Sequence, residues 1–277
     1  MSVINFIPTI WSETLQTSMN KKYIGVANCC RDYEGEIREK GSRVKILNVG
    51  NITVANYTAN TDMSSPQTLD GTSVEMVINR AKYFNFQLDD VDRAQAVPTL
   101  MSAAMDKAAD ALAKEADQQI YSMKAEAGTL LSCDLDNSGD LVASLLAART
   151  KLLESGITDT NNIVIELSPK AAEILLKSEI TLFSGSSDIL ENGCIGKFAG
   201  CKVFVTNSVE QTVNSGVCHH YCYVRSRRAI AFAEQLSEIE AYRPETRFAD
   251  AVKGLHLYGT KTIYPQEFCV VDVSFAA

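Results

Sequence analysis

The sequence predicts an α+β protein in which a strand-rich segment, one long helix and a mixed α/β region follow one another. Two observations predict this class: residues 35–88 alternate apolar and polar side chains as strands do, and residues 97–128 carry small apolar side chains at helical spacing. A third is the alternation of helix-like and strand-like segments after residue 129. The 277 residues, 46% of them apolar, are enough to bury a large core.

An apolar stripe on a short helix is predicted at the start of the chain, over residues 7–23. Its members follow one another at four-residue spacing, which aligns them on one helical face. Such a face needs a surface to lie on, and we expect an isolated copy to leave it uncovered. The stripe consists of Ile7, Trp11, Leu15, Met19 and Tyr23.

Residues 35–88 are predicted to form a long, charged β-ribbon. Strand-like alternation recurs in GEIREKGSRVKILNV, in ITVANYTA and in SVEMVINRAKYFNFQLD. Few of these residues are apolar, and a ribbon of two or three strands with little core of its own is marginal in isolation. We therefore expect another subunit to hold the ribbon.

A single long helix is predicted over about residues 97–128. Pro98 suits its first turn and Gly128 its end, and the face from Leu100 to Ile120 is small enough for close packing against a sheet. We interpret the acidic run ahead of this helix as charge that complements the helix dipole, with a metal cluster as the less favoured alternative. The run comprises Asp89, Asp90 and Asp92.

Residues 129–238 are predicted to form a mixed α/β unit, and residues 239–277 to return to strands. DLDNSGDLVASL resembles the start of a calcium loop, but its twelfth position is Leu145, where a bidentate Glu is required. We therefore favour a turn and N-cap ending in Asp140, before a helix that stops at Ser155-Gly156. A second helix is predicted to begin with Ser168 as its N-cap and Pro169 at its first position.

GCIGKFAG, residues 193–200, resembles a phosphate-binding loop but lacks the required spacing. Only two residues separate Gly193 from Gly196, and Phe198 follows Lys197 where Ser or Thr is needed. We interpret the segment as a turn before the strand CKVFV.

VCHHYCYV, residues 217–224, places two of the three histidines of the chain beside two cysteines. The alternation predicts a strand with Cys218, His220 and Cys222 on one face. Side chains two positions apart in a strand lie about 7 Å from each other, which strains a three-ligand metal site, and no CxxC or HxxxH completes a tetrahedron. We favour buried cysteines and partly exposed histidines. A metal-dependent enzyme using these three residues is the least favoured function.

Charge and composition exclude several classes of protein. The net charge of −8 disfavours sequence-independent nucleic-acid binding, so we expect only weak, non-specific contact with DNA. The start of the chain lacks the features of a signal peptide, and the apolar run LVASLLAA is too short to span a bilayer. A cytoplasmic protein without membrane contact, with free thiols at its eight cysteines, is expected.

Four segments, in this order and spacing, resemble major capsid proteins of tailed bacteriophages with the Hong Kong 97-like fold. They are FIPTIWSETL, RDYEGEIREKGSRVKI, AKYFNFQLDDVDRAQA and EAYRPETRFADAVKGLHLYGTKTIYP. The resemblance covers nearly the whole chain. It implies an N-terminal arm (1–34), an extended loop (35–88), a peripheral domain with a spine helix (89–128) and return strands (239–277), and an axial domain (129–238).

The resemblance also implies a function, without catalysis or a cofactor. Copies are expected to assemble through pentamers and hexamers into the icosahedral head shell around double-stranded DNA, in the host bacterial cytoplasm. A scaffolding protein, a portal and a decoration protein are the expected partners. Because the FIP segment begins at Phe6, we expect no cleaved N-terminal extension. The alternative is the shell protein of an encapsulin-like nanocompartment.

Charged residues at the root of the extended loop are the predicted contacts between subunits. The basic loop root of one copy would meet the acidic start of the spine helix of a neighbour, and solvated surface charge is the alternative. The candidates are Trp11, Arg31, Asp32, Glu34, Arg38, Lys40, Arg43, Lys45, Asp89, Asp90, Asp92 and Arg93.

Overall fold

The computed structural model describes residues 8–33, 41–49, 71–89, 100–135, 140–178, 193–246 and 248–276, together with residues 54, 56, 57, 62 and 65. Its helices are α1 (Pro8–Lys22), α2 (Leu100–Tyr121), α3 (Leu141–Glu154) and α4 (Pro169–Lys177). Its strands are β1 (Arg43–Val49), β2 (Gly71–Val77), β3 (Arg80–Asp89), β4 (Thr129–Asp134), β5 (Ile163–Leu167), β6 (Cys194–Phe198), β7 (Cys201–Val205), β8 (Gln211–Asn214), β9 (Val217–Ser226), β10 (Ile230–Tyr242), β11 (Ala249–Thr262) and β12 (Phe268–Ala276).

The described strands form two sheets and a ribbon. The small sheet has the order β10-β11-β3 and is antiparallel throughout. The large sheet has the order β4-β12-β9-β5-β7-β6, with β8 paired to β9. The ribbon is the antiparallel pair of β1 and β2. Helices together with these mixed and antiparallel sheets confirm the predicted α+β class.

Two strands lie elsewhere than the sequence predicted. Residues 73–89 were expected to form one strand of the ribbon, but the strand breaks at Ile78-Asn79 and β3 joins the small sheet beside β11. The return strands of 239–277 are divided: β11 belongs to the small sheet, whereas β12 lies in the large sheet, parallel to β4 and antiparallel to β9. Alternation along a strand reports which face is buried, and it carries no information about the partner.

The helices cover one face of each sheet. Apolar side chains of α3 and α4, such as Leu145 and Leu175, pack on large-sheet residues such as Val203 and Val271. Helix α2 lies with α1 over the small sheet, and the same core reaches Val270 of the large sheet. This shared core joins the two sheets into one body.

The long helix ends earlier than predicted, at Tyr121 and not at Gly128, and a 3₁₀ turn over Ser122–Glu126 follows it. The predicted N-caps and the predicted end of α3 are confirmed. The carboxylate of Asp140 accepts from the backbone N–H of Val142, and the hydroxyl of Ser168 accepts from that of Ala171. Helix α3 ends at Glu154, ahead of Gly156, which has a φ of 99°. The turn predicted for residues 193–200 is wrong in its position: residues 194–198 are the strand β6, and the turn to β7 lies at Ala199-Gly200, where both φ angles are positive.

Contrary to our expectation, the described part of the apolar stripe of α1 is covered within one copy. Leu15, Met19 and Tyr23 are buried in the core that α2 and the small sheet form. Ile7 and the side chain of Trp11 lie outside the described residues. The described part of the stripe therefore packs against other elements of the same copy.

The ribbon has an apolar root on its own chain, which corrects the expectation that it lacks a core. Val44, Ile46, Met76 and Ile78 are buried against small-sheet residues that include Leu257. Beyond this root, Val54 and Tyr57 are 92% and 77% exposed. The segment ITVANYTA, predicted to be a strand, lies for the most part outside the described residues.

Candidate functional site

Residues 23–32, which we call the connector, link α1 to the root of the ribbon and pass between the two sheets. A short 3₁₀ turn over Val26–Asn28 is followed by a parallel bridge from Cys30 to Ala231 of β10. The Cys30 N–H donates to the Ile230 carbonyl at 2.9 Å, and the Phe232 N–H donates to the Cys30 carbonyl at 2.9 Å. The backbone of the connector thus extends the small sheet at the edge formed by β10.

The first buried anchor of the connector is Asp117 on α2. Its carboxylate accepts from the backbone N–H of Ile24 at 3.0 Å and from that of Val26 at 2.9 Å. Burial raises the pKa of Asp117 to about 6, although these hydrogen bonds favour the charged form. Gly25 lies between them, and a Cβ there would make a tight contact of 3.1 Å with the Tyr121 ring. The Asp117 side chain of α2 therefore binds the connector through backbone N–H groups of the connector.

The second anchor is an ion pair of the large sheet, Arg225 on β9 with Glu166 on β5. Their side chains are 0% exposed, and the two N–H···O contacts measure 2.9 and 3.0 Å. Both partners also bind the connector: Arg225 donates to the carbonyls of Gly25 and Asn28, and Asn28 Nδ2 donates to Glu166. The pair thereby satisfies connector groups that would otherwise be buried without partners.

The third anchor is Glu234 on β10 of the small sheet. It accepts from the Tyr23 hydroxyl, from Arg31 at 2.6 Å and from His256 Nε2 at 2.8 Å. Burial by itself raises the pKa of Glu234, but the hydrogen bonds and charge of His256, with those of Tyr23 and Arg31, hold this pKa below its ordinary value. The carboxylate stays ionised and binds both ends of the connector.

The hydrogen bonds of the three anchors decide whether their carboxylates could act in catalysis. Each carboxylate is occupied by donors of the same chain, so none is available to transfer a proton to a substrate. Asp117 belongs to α2, Glu166 to the large sheet and Glu234 to the small sheet. The connector therefore ties the N-terminal helix, both sheets and the root of the ribbon together, which is a structural role.

Sequence analysis did not identify these buried charges as a group. A signal was present, because each of three strand residues is a lone charge in an apolar run: Glu166 in IVIEL, Arg225 in YCYVRS and Glu234 in AIAFAE. The sequence cannot pair them, since their separations along the chain reach 68 residues between Glu166 and Glu234.

Two predicted contact residues are engaged within the chain. Arg31 donates to Glu234 and to Asn20 Oδ1, the latter at 2.9 Å, and its guanidinium lies 5.8 Å from the centre of the Tyr23 ring. Asp32 accepts from the Cys30 thiol at 3.2 Å. Arg31 thus stabilises the connector.

The other candidates lie on the ribbon or beyond the described residues. Arg43 Nη1 lies 3.3 Å from both carboxylate oxygens of Glu75 on the neighbouring strand. Lys45 is exposed and opposite Glu75 in the register. Outside the described residues lie Glu34, Arg38, Lys40, Asp90, Asp92 and Arg93, together with the side chains of Trp11 and Asp89.

The cysteine and histidine residues of β9 occupy separate environments. Cys222 is buried in the core below α3 and α4, Cys218 is half-buried, and His220 Nδ1 lies 2.8 Å from the Ser168 hydroxyl. His220 is buried, so the interpretation of both histidines as partly exposed is wrong for this one. Among the described residues, no group of three His, Cys, Asp or Glu side chains could hold a metal ion. Each of the eight cysteines, all described, is a free thiol.

None of the described helices combines the length and the apolar composition needed to cross a bilayer.

Comparison with solved structures identifies the fold. A structure from Mycobacterium phage Che8 matches with a TM-score of 0.68 and 26% identity, over 90% of both chains. The capsid of Ralstonia phage GP4 matches with a TM-score of 0.71 and 12% identity, over 94% of this chain and 90% of the other. No family model and no curated protein matches the sequence.

The alternative of a nanocompartment is not better supported. A virus-like particle from Pyrococcus furiosus matches with a TM-score of 0.58 and 12% identity, over 95% of this chain and 98% of the other. Both phage structures described above have the higher TM-score, and the Che8 structure also has the higher identity. The similarities confirm the resemblance that the sequence predicted: the chain has the fold of phage capsid proteins.

Proposed function

We propose that this chain is the major capsid protein of a tailed bacteriophage and forms the icosahedral head around double-stranded DNA through pentamers and hexamers. The similarity to the Che8 phage structure over 90% of both chains is the observation that carries the proposal. A match over 90% of both chains concerns the arrangement of the whole fold and no single module.

The surface of one copy supports assembly with further copies. Large apolar side chains are exposed on the ribbon and beside the small sheet, and neighbouring copies would cover them in a shell. Rotational repetition of one contact closes rings, and the same contact is then satisfied in every copy. The exposed side chains include Val54, Tyr57, Tyr83 and Phe248.

The connector supports the proposal from inside the molecule. A shell subunit transmits contact forces from its ribbon to both of its sheets, and here the root of the ribbon and the connector are fastened to the same small sheet. The buried ion pairs prevent these parts from separating when neighbours bind. The chain therefore reaches the shell as one body with an exposed ribbon.

The contact between subunits is proposed to include the charges at the root of the ribbon. Arg43 and Lys45 would meet the acidic run Asp89, Asp90 and Asp92 of a neighbouring copy. Because Arg43 already lies near Glu75, this contact would compete with the pair within the hairpin. A single exposed pair contributes only about 0–1 kcal/mol, but repetition around a closed shell multiplies the effect.

Further partners belong to the same proposal. A separate scaffolding protein, a portal and a decoration protein would act with the chain in the host cytoplasm, and the mature protein would be found in the virion. Packaged DNA would contact the shell weakly, because the net charge of −8 repels phosphate. No catalytic step is proposed for the chain.

Electron microscopy of the expressed and purified chain tests the proposal. We expect rings or closed shells of uniform diameter, with or without the scaffolding protein of the same phage. A strictly monomeric protein at every salt and protein concentration would contradict it. Elemental analysis of the same sample distinguishes a shell protein from a metal-dependent enzyme, since a stoichiometric metal would favour the enzyme.

A further inference from the structure

A cavity of about 330 Å³ lies where β9 leaves the large sheet and β10 enters the small sheet. One wall is the turn between these strands, and the other is the loop that follows α3. Neither the connector nor the ribbon takes part in it. The lining residues are Gly156, Ile157, Thr158, Asp159, Asn162, Ser226, Arg227 and Arg228.

Arg227 is the unbalanced charge of this cavity. Its backbone N–H donates to the Asn162 carbonyl at 3.1 Å, which fixes the residue in the turn. Its side-chain Nε is buried, and no acceptor within the described residues receives its hydrogen. Among the described residues no carboxylate is paired with this guanidinium, so its positive charge is left for an oxygen ligand in the cavity.

The two neighbouring charges are already satisfied. Arg228 Nε donates to Glu267 Oε2 at 2.8 Å, and Glu267 is buried. Asp159 accepts from the Asn161 N–H at 3.0 Å, from Asn161 Nδ2 at 3.2 Å and from Asn162 Nδ2 at 3.0 Å. The carboxylate of Asp159 is thus held by amides, which leaves the guanidinium of Arg227 as the group that attracts an anion.

We propose that this cavity binds a small oxyanion of the phosphate class, with Arg227 as its principal donor. The planar guanidinium offers parallel N–H groups that match two oxygens of a phosphate. The polar residues Ser226, Thr158 and Asn162 line the same space. Free inorganic phosphate and the phosphodiesters of DNA carry this chemistry alike.

Calorimetric titration of the purified chain with inorganic phosphate, against chloride at equal ionic strength, tests the site. We expect saturable phosphate binding that Arg227→Gln weakens at least about ten-fold, which corresponds to ~1.4 kcal/mol. Arg149→Gln is the matched control, since it removes the same charge from α3, outside the cavity. Phosphate binding equal to that of chloride, or equal weakening by both variants, would overturn the proposal.

A second variant changes the affinity in the opposite direction. Asp159→Asn keeps a side-chain oxygen for the Asn161 N–H but removes the negative charge beside the anion, so we expect phosphate to bind more tightly. This result does not depend on whether Arg227→Gln folds well. Unchanged or weaker binding to Asp159→Asn would contradict the assigned position.

A short DNA duplex added to the phosphate complex distinguishes the two sources of the ligand. Displacement of phosphate at low salt would assign the site to the DNA backbone, and retention of phosphate would assign it to the free ion. Both results are compatible with the site itself. Because the titrations need no assembly, their outcome is independent of whether the chain forms shells.

Discussion

An Arg–Glu pair of the large sheet holds the connector and another lies on the ribbon, but the two pairs have opposite surroundings. Arg225 and Glu166 are 0% exposed, whereas Arg43 and Glu75 are 68% and 44% exposed. Removing one member of a buried pair leaves an uncompensated charge in the interior, while an exposed pair contributes little. The buried charges therefore determine how one copy is held together, and the exposed charges are available for contacts outside it.

The ribbon is not exposed along its whole length. The root of the ribbon is buried on the small sheet through Met76 and Ile78, close to where the connector pairs with β10. The ribbon thus has a fixed base and an exposed remainder.

Replacing the buried guanidinium should have the largest effect. We expect Arg225→Met to lower the free energy of unfolding by about 3–5 kcal/mol, because Glu166 would remain charged and buried. The double variant with Glu166→Gln, which also removes that charge, should recover a large part of the loss. Urea unfolding of the three proteins measures both effects. A loss below about 1 kcal/mol, or no recovery in the double variant, would contradict the role assigned to the pair.

The pH dependence of stability should reveal Asp117 as the second anchor. Its folded pKa is about 6 and its ordinary value is 3.8, so the folded state binds the proton more tightly than the unfolded state. The stabilisation from this proton is complete below about pH 4 and is lost as the pH rises to 6. One pKa unit corresponds to about 1.4 kcal/mol, so the loss is on the order of 2–3 kcal/mol.

The matched variant for this prediction is Asp117→Asn, which has no proton to release in that range. The difference in unfolding free energy between wild type and variant, measured from pH 4 to 6, should therefore change in favour of the variant. A constant difference over this range would show that Asp117 does not titrate there.

A third prediction concerns the base of the ribbon. A Cβ at Gly259 would lie 2.6 Å from the Val77 carbonyl oxygen and 2.8 Å from Ile78 Cδ1. Gly259→Ala should therefore displace the root of the ribbon from the small sheet, at a cost of about 1–3 kcal/mol. Limited proteolysis should cleave the ribbon of the variant faster than that of the wild type. Unchanged cleavage rates would show that the root adapts without separating.

The smallest effect on a single copy is expected for the exposed pair. Arg43→Glu should change the free energy of unfolding by about 1 kcal/mol or less, with an unchanged circular dichroism spectrum. If Arg43 contacts neighbouring copies, the variant should nevertheless form few shells or shells of wrong size, and higher salt should weaken wild-type assembly. Normal shells at normal yield would show that the charge is only solvated.

The exchange variant Arg43→Glu with Glu75→Arg separates two explanations of an assembly defect. It restores an ion pair within the hairpin but reverses both charges as a neighbour meets them. Recovered shells would assign the defect to the hairpin, and shells still absent would assign it to the contact between copies. Lys151→Gln on α3 serves as the control for loss of one exposed positive charge outside the proposed contact.

The sequence predicted those features that depend on neighbours along the chain. Asp140 and Ser168 cap helices because their side chains reach amides two or three residues away, and such contacts need no partner from elsewhere. The order of ribbon, long helix and α/β region was equally readable, because periodicity follows local geometry. The contact surface between copies stays a prediction, and among its candidates Arg31 also binds Glu234 within the chain.

Tertiary structure alone decided which segments meet. The same alternation would suit β3 in the ribbon or in the small sheet, and β12 in either sheet, because a strand's pattern records its buried face and not its neighbour. Glu166, Arg225 and Glu234 are each a lone charge in an apolar strand, but only the fold brings them into contact with the connector. A buried charge is tolerated where the fold brings a partner from a distant part of the chain into contact with it. That contact depends on the packing of the whole core.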